Sequence, residues 1–211
     1  MREDLSRCAC SRLFQPGQTR YDVSTMKCIL HTERLDLSLL SPADARRVLD
    51  FITRNREFLT PTEPDRSLPY YTLEGVRSML SHERRDADAG RLYRFWITRS
   101  CSSTIIGSVL LSCITYGASH SSCIAYRLDQ DCQGMGYMTE ALREVIRFAF
   151  EDLHLHRIEA NIMPRNTRSI SIAKRLGFLI EGLSREYLCI NGVWEDHLRT
   201  ALINKHWEVA P

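Results

Sequence analysis

Over residues 34–40, Leu35, Leu37 and Leu39 alternate with Arg34, Asp36 and Ser38. A period of two predicts a half-buried strand. Ser41-Pro42-Ala43-Asp44 follows, with a capping Ser, a Pro at the first helical position and an acid three residues after the cap. This predicts a helix to about Arg54. Residues 55–71 combine Pro61, Pro64 and Pro69 with Phe58, Leu59, Tyr70 and Tyr71, an irregular loop too apolar for a plain linker. Thr72 to Gly75 opens a second helix that ends near Gly90 and carries Val76, Met79 and Leu80 on one face. Strands are expected over 93–98, 105–112 and 122–128. Residues 137–152 form an amphipathic helix with Met138, Leu142, Val145, Ile146, Ala149 and Phe150 on its apolar face. A strand over 157–162 and a short helix over 166–176, closed by Gly177, come next. The last strands, about 184–190 and 193–202, meet at Asn191-Gly192, a strong hairpin signal. The order β-α-α-β-β-β-α-β-α-β-β predicts an α/β fold with a mixed sheet and helices on its faces, not a doubly wound parallel sheet.

Composition narrows the class. The 211 residues suffice for one domain with a full core. Lys and Arg number 28 and Asp and Glu 26, so the net charge of +2 gives no footprint of a nucleic-acid reader. No apolar run reaches membrane-spanning length. The first 25 residues lack periodicity and lack the apolar core of a secretory signal; they read as an extension, with Met26 a second candidate start. The single domain is expected over 26–211. Eight cysteines fall at 8, 10, 28, 101, 113, 123, 132 and 189, and only Cys8 and Cys10 are close in sequence. C-x-C supplies no four-ligand zinc site, so the cysteines are read as thiols and the protein as cytoplasmic, with no metal. His154-x-His156 lacks a third ligand at suitable spacing, and His197 with Asp196 is expected to support the last hairpin.

One stretch carries chemistry. Leu128-Asp129-Gln130-Asp131-Cys132-Gln133-Gly134-Met135-Gly136-Tyr137-Met138 joins a strand to a helix through two of the chain's 10 glycines. Glycines let backbone N–H groups converge, and a helix N-terminus adds about half a positive charge, so the loop suits a phosphate or pyrophosphate. A tight turn that needs only small residues is the plainer reading of the same letters. Thr139 excludes the third glycine of the dinucleotide fingerprint, and no Gly-Lys-Ser/Thr is present.

The stretch resembles the acetyl-CoA loop of the GNAT acetyltransferases, with Gln133 and Gly136 at its first and fourth positions. Residues 156–169, Arg175-Leu176-Gly177-Phe178, Glu181-Gly182 and Trp194-Glu195-Asp196-His197 extend the likeness to the ribosomal-protein N-terminal acetyltransferases, the RimJ type more than the RimL type. Upstream, Asn55-Arg56-Glu57-Phe58-Leu59 and Glu63-Pro64 agree with that group. The resemblance spans roughly 30–207. It implies a GNAT fold of about seven strands and about four helices, splayed between the fourth and fifth strands. It also implies that acetyl-CoA is the cosubstrate. The backbone of Gln133, Gly134, Met135, Gly136, Tyr137 and Met138 would hold the pyrophosphate. The strand containing Tyr126, Arg127 and Leu128 would pair with the pantetheine arm, and Asn166 would bond to that arm. Arg165, Arg168, Lys174, Arg175 and Arg185 read most simply as a solvated face, with one of them, Arg175 among the cofactor-binding candidates, available to the 3′-phosphate. Ser169 would support the leaving thiolate, and Glu186 matches the position of the carboxylate proposed as general base. Met138 replaces a small residue and must point away from the loop, and Ala173 replaces a Tyr acid found in many GNAT enzymes.

The implied reaction is acetyl transfer to a primary amine by direct attack in a ternary complex. The leading acceptor is a protein N-terminal α-amine, possible targets being ribosomal proteins. One alternative is a small amine such as a polyamine, an antibiotic or a toxic aminoacyl compound, recognised by acids at Glu57, Glu63 and Asp65. The other is a CoA-binding, ribosome-associated protein with little catalysis. The expected assembly is a monomer or homodimer, with no membrane partner.

Overall fold

The computed structural model describes residues 20–22, 27–64 and 66–208. Strands β1 (Arg20–Asp22), β2 (Lys27–His31), β3 (Leu35–Leu39), β4 (Tyr93–Arg99), β5 (Ile105–Thr115), β6 (Ser121–Leu128), β7 (Arg157–Ile162), β8 (Leu179–Ile190) and β9 (Val193–Ile203) form one sheet. Their spatial order is β1-β2-β3-β4-β5-β6-β7-β9-β8. Only β6 and β7 pair in parallel. The described strands number nine, against the seven expected. The extra two come from residues without alternation: β1 lies within the expected extension and pairs with β2, Arg20 opposite Ile29. The rest of that extension, residues 1–19 and 23–25, and the candidate start Met26 lie outside the described residues.

The helices are α1 (Ala45–Arg54), α2 (Arg56–Leu59), α3 (Leu73–Asp88), α4 (Tyr137–Arg147) and α5 (Thr167–Arg175). The proline-rich loop is more ordered than its composition suggested: it holds α2 and two 3-10 turns, Thr60–Thr62 and Leu68–Tyr71. Helix α4 continues as a wider π turn over Phe148–Asp152, where the Leu153 N–H donates to the Phe148 carbonyl at 3.1 Å.

Strand alternation assigns the two faces of the sheet. Leu35, Leu37, Phe95 and Ile97 pack on one side against Met138, Leu142, Val145 and Phe148 of the α4 segment. Trp96 of β4 and Ile105 of β5 point to the other side, against Val48 and Phe51 of α1 and Val76 and Leu80 of α3. The sheet therefore has one core under α4 and α5 and a second core under α1 and α3.

Strands β7, β8 and β9 are tied by charge on the α1–α3 side. The Glu159 carboxylate accepts from Arg157 and Arg199, each at 2.8 Å, and Arg157 also pairs with Glu181. Burial pushes the Glu159 carboxyl up, but the arginine hydrogen bonds outweigh it and leave it below the usual carboxylate range. Such a group stabilises the fold above its unfolded value, about 4, and the contribution is lost as pH falls through the lower folded value. Glu140 and Asp129 are also lowered against burial, Glu140 by hydrogen bonds from Thr32 and Arg34 and Asp129 by those from Arg54 and the Asp131 N–H. Melting temperature is therefore expected to hold from neutral pH down to about 5 and to fall below about pH 4. A flat melting profile from pH 5 to pH 2.5 would contradict this.

Candidate active site

Strands β6 and β7 pair only over Ser121–Cys123, opposite Arg157–Glu159. Beyond that point they diverge, so the splay between the fourth and fifth expected strands is present. Ile124 to Leu128 and Ala160 to Met163 line opposite walls of a cavity of about 830 Å³. Because β6 pairs with β5 on its other side, its open edge can accept an extended ligand as an added strand.

The glycine loop closes one end of this cavity. Gly134 and Gly136 adopt φ of 76° and 80°, and Gly136 is the N-cap of α4. Positive φ at both positions explains the glycines, since a Cβ there would be strained. Gly134, Gly136 and the first residues of α4 line the cavity end, where a helix N-terminus favours an anion. Gln133 acts through its side chain: Nε2 donates to the carbonyls of Leu128 and Asp129, each at 3.2 Å, and ties the loop to the end of β6. Met138 is 4% exposed and packs into the α4 core, so the long side chain turns away from the loop. The role expected of Met135 is one of backbone, not of side chain. Its side chain is 52% exposed and it does not line the cavity, while its carbonyl accepts from Arg34 at 3.2 Å.

Arg34 is a neighbour that sequence reading missed. Its Nε donates to Glu140 at 2.7 Å, and its guanidinium lies 4.7 Å from the Tyr137 ring centroid. It sets a cation beside the loop. Outward parity on a strand was legible for Arg34, but the partner is 106 positions away along the chain.

The long wall comes from α5. Asn166 caps that helix, its Oδ1 accepting from the Ser169 N–H at 3.2 Å, which leaves its Nδ2 for a ligand. Tyr126 donates its hydroxyl to the Ser169 carbonyl at 3.2 Å. Asn166, Ser169 and Arg175 all line the cavity, and Arg175 donates to the Thr139 hydroxyl at 3.5 Å. Ala173 is buried in the core.

The far end opens on the α1–α3 face between Phe58, Leu59, Thr62 and Glu63 on one side and His197 on the other. Arg127 is buried there, donating to Tyr70 Oη at 2.9 Å and Glu63 at 3.3 Å, with its guanidinium over the Trp96 ring. Glu63 is thus paired rather than available to a cationic amine. Glu57 is exposed and outside the cavity, and Asp65 lies outside the described residues.

Glu186 stands apart from this cavity. It is exposed, with φ of 46°, at a register shift in the β8–β9 pair between Ser184 and Leu188. Its N–H donates to Asp196 at 2.8 Å, and it is not among the cavity-lining residues. A strand read from the sequence cannot reveal a bulge, which depends on the register of the partner strand. Among the described residues no cluster of His, Cys, Asp or Glu could hold a metal, and no helix is long and apolar enough to cross a membrane.

A parted parallel pair with a glycine loop and a helix N-terminus at its head is the architecture of a transferase that threads an extended cosubstrate through its sheet. The sequence pattern of the acetyltransferase (GNAT) domain matches residues 34–179. The ribosomal protein uS5-alanine N-acetyltransferase of Escherichia coli is 36% identical over 187 residues, 89% of this chain and 96% of that one. The crystal structure of ribosomal-protein-S5-alanine acetyltransferase from Vibrio fischeri matches with a TM-score of 0.82 at 35% identity, covering 86% of this chain and 99% of that one. Mycobacterium smegmatis RimJ in complex with CoA-disulfide matches with a TM-score of 0.77 at 28% identity, covering 83% and 85%. The chain belongs to the GNAT acetyltransferase family. It is an N-acetyltransferase, and acetyl-CoA is its cosubstrate.

Proposed function

We propose that this enzyme acetylates the N-terminal α-amine of a ribosomal protein in the cytoplasm. The observation that carries the reading is the 36% identity with the uS5-alanine enzyme over 96% of its length. Acetyl-CoA would lie with its pyrophosphate on the Gly134–Gly136 loop and its pantetheine along β6, held by Asn166 Nδ2. Its thioester would then sit in the gap near Ser169, whose hydroxyl can stabilise the leaving thiolate. The amine would enter from the α1–α3 face.

Chemistry supports an α-amine. Its pKa of about 7.7–8.0 leaves roughly a tenth neutral at pH 7, while a lysine amine near 10.4 costs about 3.5 kcal/mol more to deprotonate. Positioning then carries much of the barrier reduction. The apolar Phe58 and Leu59 at the entrance suit a peptide terminus, and the paired state of Glu63 counts against a small cationic amine. Glu186, at the outer edge of the hairpin, is the carboxylate that would receive the released proton through water.

The test incubates the protein with labelled acetyl-CoA and, separately, salt-washed ribosomal proteins and a pool of small amines. Peptide mapping is expected to place the label on one protein N-terminus. Label confined to the amine pool would overturn the reading. Glu186→Gln is expected to lower kcat about tenfold with unchanged acetyl-CoA affinity; an unaffected rate removes Glu186 from proton transfer.

A further inference from the structure

His197 lies on β9 opposite Ser184 of β8, one residue before Leu198, which pairs with Ile162 of β7. Ile162 points into the core under α4 and α5. Alternation therefore turns His197 to the α1–α3 face, where the acceptor end of the cavity opens. Arg199, two residues on, reaches Glu159 on that same face at 2.8 Å.

His197 is 3% exposed yet lines the cavity. Its Nδ1 lies 2.9 Å from the Glu195 carbonyl. A carbonyl oxygen can only accept, so Nδ1 carries a proton, and in the neutral imidazole the lone pair lies on Nε2. Nε2 makes no hydrogen bond among the described residues, and it is not sealed away from solvent. The Tyr187 ring stands against the imidazole at 5.6 Å and 62°, fixing its plane.

The charged groups around it are engaged elsewhere. Glu195 pairs with Arg165, and Asp196 accepts from the Glu186 N–H. Arg199 pairs with Glu159 while its guanidinium covers Tyr187, and Glu63 across the cavity pairs with Arg127. Glu186 on the facing bulge carries the only other carboxylate offered for proton transfer, and it is outside the cavity. A preoriented, unpaired imidazole nitrogen facing the acceptor end is the arrangement of a general base.

We propose that His197 is the immediate proton acceptor of the reaction, taking the amine proton on Nε2; this rests on the amine-acetylation reading above. As the amine nitrogen bonds to the thioester carbon, the carbonyl electron pair moves to oxygen and an N–H proton passes to Nε2. The carbonyl re-forms, the C–S bond breaks and its pair leaves on sulfur. The thiolate takes a proton from water beside Ser169, and the imidazolium returns its own to water near Glu186.

His197→Asn separates this role from a structural one, because Asn can keep the donation to the Glu195 carbonyl while losing the base. With an N-terminal peptide as acceptor, its kcat is expected to fall about 100-fold while the acetyl-CoA dissociation constant stays within about twofold. His197→Ala is expected to regain part of the lost rate when free imidazole is added. Wild-type kcat in His197→Asn would overturn the proposal, and so would a rate loss matched by an equal loss of acetyl-CoA affinity. Failure of the wild type to acetylate any peptide or amine would instead sink the functional reading on which the proposal rests.

Discussion

Gly136→Val is expected to weaken acetyl-CoA binding by up to roughly 100-fold, the larger of two alternative costs being about 3 kcal/mol. Gly136 holds φ of 80° at the head of α4. A residue with a Cβ loses roughly 1–2 kcal/mol in left-handed backbone, and a β-branched one more. If the loop relaxes to escape that strain, the N–H groups after it swing off the pyrophosphate. Each charge-assisted hydrogen bond lost costs about 1.5–3 kcal/mol. A new side chain also approaches Arg34, whose Nη2 would lie 3.5 Å from the added Cβ. Gly117→Ala is the control. Gly117 has φ of 69° in the turn after β5, with nothing within 4 Å of an added Cβ, and it lies away from the cavity. It shares the backbone penalty without the ligand. Titration calorimetry should show lost affinity only in Gly136→Val, while both variants melt somewhat lower. Wild-type affinity in Gly136→Val would remove the loop from coenzyme binding.

Sequence periodicity made most of the scaffold legible because burial enforces it. Leu35, Leu37 and Leu39 alternate inward, and the α4 stripe from Met138 to Phe148 meets them. The splay was implied by family likeness, and its physical basis is the early end of pairing at Cys123 and Glu159. Strands β1 and β2 at one end of the sheet were hidden, since the residues there show no alternation. The glycine-loop end of the cavity was readable because it depends on local chain geometry: a strand end, two glycines and a helix start. The opposite end was not. It depends on which face β9 presents, on the Ser184–Leu188 register shift that puts Glu186 outside, and on Arg127 drawing Glu63 and Tyr70 together across the fold. His197 was read as hairpin support because its tautomer and its facing can be known only once the strands are paired.

Asp129→Ala tests how the loop is held in place, and it is expected to cost about 2 kcal/mol of stability. Asp129 is almost fully buried where the chain leaves β6. It accepts from Arg54 Nε at 2.9 Å and Nη2 at 2.5 Å, and from the Asp131 N–H at 3.1 Å. Beside it, Asn55 accepts from the Gln130 N–H at 3.0 Å. These contacts fasten the approach to the glycine loop onto the C-terminal end of α1. Loss of the carboxylate leaves the Arg54 guanidinium with the Ile105 carbonyl alone, at 3.0 Å. The Arg54 side chain is 40% exposed and can rehydrate, so the cost stays below that of breaking a fully buried pair. For a chain of this size the melting temperature should drop by about 4–8 °C. Asp129→Asn keeps one oxygen acceptor and should lose about half as much. Acetyl-CoA affinity should fall in Asp129→Ala as well, because the loop then enters α4 from a loosened anchor. Arg54→Ala combined with Asp129→Ala should cost less than the two single changes added together, since both remove one interaction. Additive losses would mean that the two residues act separately and that the loop is positioned from its α4 side, through Arg34 and Glu140.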